Sequence, residues 1–136
     1  MMVRQVMDWC QAEADWQEVC ARVEQTYGSK YHWVHVLPNG AVVVLALLLG
    51  RGDLEATVSI ATTCGMDVDC NGGVAGAIAG VTRGSAGISD RLKGPIGDRI
   101  DTWVSGFEHV SLSDLTQRTC ALGSRLLQER GNRPLS

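Results

Sequence analysis

Residues 65–84 read GMDVDCNGGVAGAIAGVTRG, two aspartates one residue apart followed by a run of glycine, alanine and small aliphatic side chains. The carboxylates of Asp67 and Asp69 repel each other, so a fold that holds them together implies a cation or water between them. An EF-hand loop is the first test of that idea. Such a loop takes oxygens from its first, third and fifth positions, turns on a glycine at the sixth and closes on a glutamate at the twelfth. Asp67, Asp69, Asn71 and Gly72 satisfy the first half, but Ala75 and Ile78 stand where later ligands belong. The stretch therefore supplies at most half a coordination sphere, and a metal held here needs ligands from elsewhere.

The small residues that follow are spaced for a helix. Gly72, Gly76 and Gly80 recur at intervals of four and share one stripe, against which a neighbouring helix can pack close to the backbone. A dinucleotide fingerprint would need a preceding strand and a G-x-G-x-x-G register, and neither is present.

Upstream, LEATVSIATTC is a second short helix, capped by Asp53 and ended by Gly65. The RGD tripeptide at its start reads as a turn and cap, not as an adhesion motif, because an acidic residue before an apolar periodic run is the ordinary helix opening. Before it, AVVVLALLLG at 41–50 is apolar all round. As a helix it would have to be covered on every side, while its run of valines leaves a buried strand as the alternative. KYHWVHVLPNG at 30–40 reads as an ordered connection stopped by Pro38 and Asn39. From Val3 to Tyr27 the pattern is helical, with Asp15 as an N-cap before WQEVCARVEQTY and Gly28 as a stop. Trp16, Val19, Cys20, Val23 and Tyr27 fall along one face.

Downstream, residues 84–109 are irregular, with a short helix expected around Arg99 to Val104. The chain then closes on a helix running from Ser111 or Ser113, as N-cap, to Arg130. The sum is an all-α fold in a single domain over 1–136, a length sufficient to bury a core.

Composition narrows the function. The 12 basic and 15 acidic residues give a net charge of −3 with no basic cluster, which argues against nucleic acid as a partner. Ala41–Leu49 is about half as long as a membrane-spanning helix, so no membrane role is expected. Five cysteines at irregular gaps match neither a zinc site nor a secreted disulfide framework, and no secretory leader opens the chain. Reduced thiols and a cytoplasmic location are the expectation. No histidine adjoins a cysteine in sequence and no G-x-S-x-G is present, so nothing marks a cysteine or serine nucleophile.

Taken in order, HVLPNGAVVVLALLLGRGDLEATVSIATTCGMDVDCNGGVAGAIAGVTRG and the later KGPIGDRI resemble the C-terminal part of the ADP-ribosylglycohydrolase family, all-helical hydrolases that include dinitrogenase reductase-activating glycohydrolase. The resemblance spans roughly residues 30 to 105, and its most specific element is the G-x-D-x-D segment leading into a small-residue helix. It implies a binuclear Mg2+ or Mn2+ centre acting on an ADP-ribosylated substrate, with Asp67 and Asp69 as metal ligands; hard oxygen donors suit such ions. His35, Asn39, Cys70 and Asn71 are its candidate substrate-side or supporting residues. Many members place Thr or Ser where Cys70 stands, and a thiol is a poor partner for a hard ion. For His35 and Asn39 the competing reading is a hydrogen bond to a helix end, and His32 and His109 read as ordinary polar residues. The family's N-terminal glycine-rich acidic segment and Thr-Asp-Asp motif find no counterpart in residues 1–30. The resemblance thus implies half of an active site, inactive alone, and catalytic residues go unassigned. The alternative is a non-catalytic remnant that self-associates or binds a nucleotide or protein. A homodimer is expected in either case, because an apolar helix built for a larger neighbour must be covered.

Overall fold

The computed structural model describes residues 1–131. The protein is mostly helical, with one small two-stranded sheet, and it forms two compact units, Met1–Ile88 and Ser89 onward.

The first unit contains α1 (Met2–Ala12), α2 (Trp16–Val23), α3 (Val36–Leu49), α4 (Leu54–Thr63) and α5 (Val68–Arg83). Asp15 caps α2 as its sequence position suggests, its carboxylate accepting the Gln17 N–H at 2.9 Å. The helical run then widens into a π turn over Glu24–Gly28. There the Tyr27 hydroxyl donates to Gln5 Oε1 at 2.8 Å and ties the end of this segment to α1. Val19, Val23 and Tyr27 are buried on one face, with Val6 of α1 in the same core.

The valine-rich segment is a helix, not a strand, and it begins earlier than its sequence suggests. Pro38 and Asn39 lie inside the first turns of α3 instead of stopping the chain ahead of it. The reason is positional: the first turn of a helix has no intrahelical partners for its N–H groups, so a proline there removes nothing. α3 packs against α1, α2, α4 and α5 and buries Ala41, Val42, Leu45 and Ala46. It is not covered on every side, however, since Val36 is 73% and Leu48 42% exposed.

α4 opens on Asp53, whose Oδ1 accepts the Ala56 N–H at 2.7 Å. Its pairing with α5 explains the glycine stripe. A Cβ on Gly72 would lie 2.9 Å from Thr62 Cγ2, and one on Gly76 would lie 3.1 Å from Val58 Cγ2. The two pairs run in opposite directions along the chain, so α4 and α5 are antiparallel, and their backbones approach where side chains are absent. Gly80 meets nothing within 4 Å, so two of the three stripe glycines carry the contact.

The second unit contains α6 (Asp90–Lys93), β1 (Arg99–Asp101), β2 (His109–Ser111) and α7 (Leu112–Gly131). The helix expected around Arg99 to Val104 is instead the first strand of a hairpin, pairing Arg99 with Ser111, Ile100 with Val110 and Asp101 with His109. Cross-strand bonds and the Arg99–Asp101–His109 cluster fix this short segment, and three residues are too few to show an alternating pattern. Ser111 caps α7 by accepting the Asp114 N–H at 3.1 Å. Asp98 adds a brace, accepting from the Ser111 hydroxyl, the Ser113 hydroxyl and the Ser113 N–H.

Candidate metal centre

The turn between α4 and α5 delivers the two aspartates. Gly65 (φ +79°) and Met66 (φ +63°) are both left-handed, which reverses the chain before α5 begins. For Met66 that conformation costs about 1 kcal/mol, because its Cβ crowds the backbone. Asp67 follows at the N-cap position, and Asp69, Cys70 and Asn71 occupy the start of α5. The acidic segment is therefore the opening of a helix and not an extended loop, which independently excludes EF-hand geometry.

Asp67, Asp69 and Cys70 come together here. One ligand atom from each, two carboxylate oxygens and Sγ, lies within 4.8 Å of the others. Asp67 is half-buried, while Asp69 and Cys70 are exposed. The hydrogen bond from Cys70 to the Asp67 carboxylate, followed by the negative charge of Asp67, pushes the Cys70 thiol above its ordinary range; slight desolvation and Asp69 act in the same direction. The partial positive charge of the helix N-terminus makes the position favourable for two carboxylates that otherwise repel.

Asn39 joins this cluster from α3. Its Oδ1 accepts the Asp67 N–H at 3.1 Å and the Asn71 Nδ2–H at 2.7 Å. Its Nδ2 donates to the carbonyls of Trp33 at 2.7 Å and His35 at 3.0 Å. Asn71 is buried at 3% exposure, its amide held inward by Asn39. His35 serves a different purpose: its Nδ1 accepts the Leu37 N–H at 3.2 Å, which caps α3, and its ring stacks on Tyr31 with centroids 4.4 Å apart. Of the four supporting candidates, Asn39, Cys70 and Asn71 thus meet at Asp67, whereas His35 caps the neighbouring helix.

Beside the cluster runs a groove of about 400 Å³, lined by Asn39, Gly40, Asp67, Cys70 and Asn71 together with valines of α3 and α5 and Met2 and Val3 of α1. The sequence carries no signal for the part played by Met2 and Val3. An amphipathic helix reveals which of its faces is apolar, but not that its first turn walls a groove next to residues more than sixty positions away. His32 lies outside the groove lining, its Nδ1 near the Val34 N–H at 3.5 Å, and His109 belongs to the hairpin.

The profile of the ADP-ribosylglycohydrolase family matches residues 2–134, nearly the whole chain. The chain belongs to the ADP-ribosylglycohydrolase family. No curated protein and no solved structure matches it. Glycohydrolases of this family generally depend on a divalent metal. Two hard carboxylate oxygens fit such an ion, and the soft Cys70 sulfur beside them fits a hard ion poorly. No helix among the described residues is long and apolar enough to cross a membrane.

Proposed function

We propose that this glycohydrolase-family domain contributes the Asp67 and Asp69 part of a divalent-metal site for removing ADP-ribose from an acceptor, and that the chain alone does not turn over substrate. The observation that carries the proposal is the convergence of two carboxylates and Cys70 at the start of α5. Asp67 and Asp69 would hold the ion, Mg2+ or Mn2+. When bound, the ion would supply positive charge to orient ribose hydroxyls and lower the pKa of a water. Asn39 and Asn71 hold the first turn of α5 in place. Inactivity is expected because the family's Thr-Asp-Asp motif finds no counterpart in residues 1–30; the two carboxylates alone do not decide it, since Mg2+ completes its oxygen shell with water.

Calorimetric titration with Mn2+ and with Mg2+, comparing the parent with Asp67→Ala plus Asp69→Ala, tests the metal: binding by the parent and its loss in the variant are expected, and identical traces would end the claim. Robust hydrolysis of ADP-ribosylated arginine, serine or O-acetyl-ADP-ribose by the pure chain would show the inactivity wrong.

The open apolar surface supports a second reading, in which the domain is a non-catalytic module that self-associates or binds a nucleotide or protein. Val34, Val36 and Val74, each at least half exposed, border the groove, and such surfaces tend to be covered by another subunit. A homodimer by light scattering is expected under either reading; a monomer at high concentration would count against it. The cysteines stand as thiols, which supports a reducing, cytoplasmic setting.

A further inference from the structure

Three aspartates of the first unit occupy helix N-cap positions, and they behave differently. Asp15 and Asp53 each accept a backbone N–H of the helix they open. Asp67 makes no such bond, although it stands at the same position of α5. Its backbone differs accordingly: ψ is 74°, against 111° for Asp15 and 122° for Asp53. An oxygen of the Asp67 carboxylate lies instead within 4.8 Å of an Asp69 oxygen and of the Cys70 Sγ.

What holds it there comes from α3. Asn39 accepts the Asp67 N–H and the Asn71 amide with the same oxygen, while both hydrogens of its own amide are fixed by the carbonyls of Trp33 and His35. The amide cannot flip without placing its NH2 against two donors and its oxygen against two carbonyls, so its orientation is set. The two bonds it accepts span the first turn of α5, from Asp67 to Asn71, on the face towards the groove. Fixing Asp67 by its main chain leaves its side chain unspent.

We infer that Asn39 is the positioning residue of the centre: by anchoring the Asp67 N–H and the Asn71 amide it holds the first turn of α5 in the conformation that releases the Asp67 carboxylate from capping and presents it, with Asp69, to a divalent cation. The inference rests on the metal-binding reading above. The amide oxygen and nitrogen of Asn39 are already engaged by these four bonds, so it would act through Asp67, as partners of metal-ligating carboxylates do.

The test compares the parent, Asn39→Ala and Asp53→Ala. The last variant removes a cap at the other end of the α4–α5 pair and controls for loss of stability. Mn2+ binding is read from the electron paramagnetic resonance signal of the free aqua ion. Asn39→Ala is expected to weaken binding about tenfold or more, and Asp53→Ala to leave it within about twofold of the parent. In the metal-free proteins, amide exchange by NMR should show the Asp67 N–H exchanging at least about tenfold faster in Asn39→Ala, with the α4 amides unchanged. Should Asn39→Ala lose helix content, Asn39→Ser replaces it: a serine hydroxyl can still bond the His35 carbonyl one turn back but is too short to reach Asp67. Unchanged Mn2+ affinity, or unchanged Asp67 exchange, in a folded variant overturns the inference and leaves the metal reading standing. A parent that binds no Mn2+ overturns the metal reading, and the positioning role falls with it.

Discussion

The contact between α4 and α5 gives a graded prediction from four glycines of one helix. Replacing a glycine inside a helix by alanine contributes about 1 kcal/mol from backbone entropy and helix preference, provided the new methyl has room. At Gly73 and Gly80 an added Cβ meets no heavy atom within 4 Å, so the full gain is expected. At Gly76 the Cβ would lie 3.1 Å from Val58 Cγ2, and the gain should be largely cancelled. At Gly72 it would lie 2.9 Å from Thr62 Cγ2. Thr62 cannot rotate away freely, because its hydroxyl donates to the carbonyls of Val58 at 2.9 Å and Ser59 at 3.2 Å. Overpacking of this kind costs about 1–3 kcal/mol, so Gly72→Ala should lie about 1–3 kcal/mol below Gly73→Ala. In a unit of this size that is a separation of roughly 4–8 °C in Tm for each kcal/mol. Thermal unfolding followed by circular dichroism reads the series directly. If Gly72→Ala raises the Tm as much as Gly73→Ala, the close approach of α4 and α5 is not what the stripe provides.

Other consequences are independent of that contact. Removing the Asp53 cap with Asp53→Ala should cost about 1 kcal/mol in urea unfolding, with an unchanged m-value. The carboxyl of Asp98 is held below the ordinary Asp value by the Ser113 hydroxyl, then the Ser111 hydroxyl, then the Ser113 N–H. A lowered folded-state value stabilises the junction of β2 and α7 above the unfolded Asp value and withdraws that support as pH falls through the folded one. The Ser113 amide should therefore lose its NMR signature only in the acid range below about pH 4; loss near neutrality would contradict the assignment. Cys64, pushed up by its hydrogen bond with Cys20 and then by burial, should resist iodoacetamide at mild alkaline pH while the exposed Cys120 is alkylated first, as peptide mass spectrometry would show.

Features of this chain that act within one or two turns could be read from the sequence. The caps at Asp15, Asp53 and Ser111 each need only a polar side chain three residues or fewer from the N–H it serves, and all three form. The stripe of glycines was visible as a period of four, although the sequence could not say that Gly80 would face no neighbour. The structure departs from the sequence pattern where a local signal has two meanings. Pro38 stops a helix in its interior but starts one in its first turn, and only the capping of α3 by His35 decides between them. The strand at Arg99–Asp101 depends on partners some ten residues later, and the Ser105-Gly106 turn between them does not by itself say that strands flank it. At the candidate site, the aspartates and their supporting residues were individually visible. The bonds that join Asn39 to Asp67 and Asn71 span 28 and 32 residues, and no spacing rule reaches that far.

The same distance separates a carboxylate that stabilises its helix from one held for another purpose. If the Asp67 side chain capped α5, its removal in the metal-free protein would cost what Asp53→Ala costs, about 1 kcal/mol. No such bond exists, and Asp67 stands near the like charge of Asp69. Metal-free Asp67→Ala should therefore change stability by no more than about 0.5 kcal/mol in either direction, since relief of the repulsion with Asp69 offsets the lost attraction to the helix N-terminus and no backbone hydrogen bond is removed. Saturating Mn2+ should then stabilise the parent by an amount that grows with the logarithm of metal concentration, and leave Asp67→Ala unmoved. A metal-free loss equal to that of Asp53→Ala would mean that the carboxylate caps the helix after all, and that the first turn of α5 is built for stability and not for an ion.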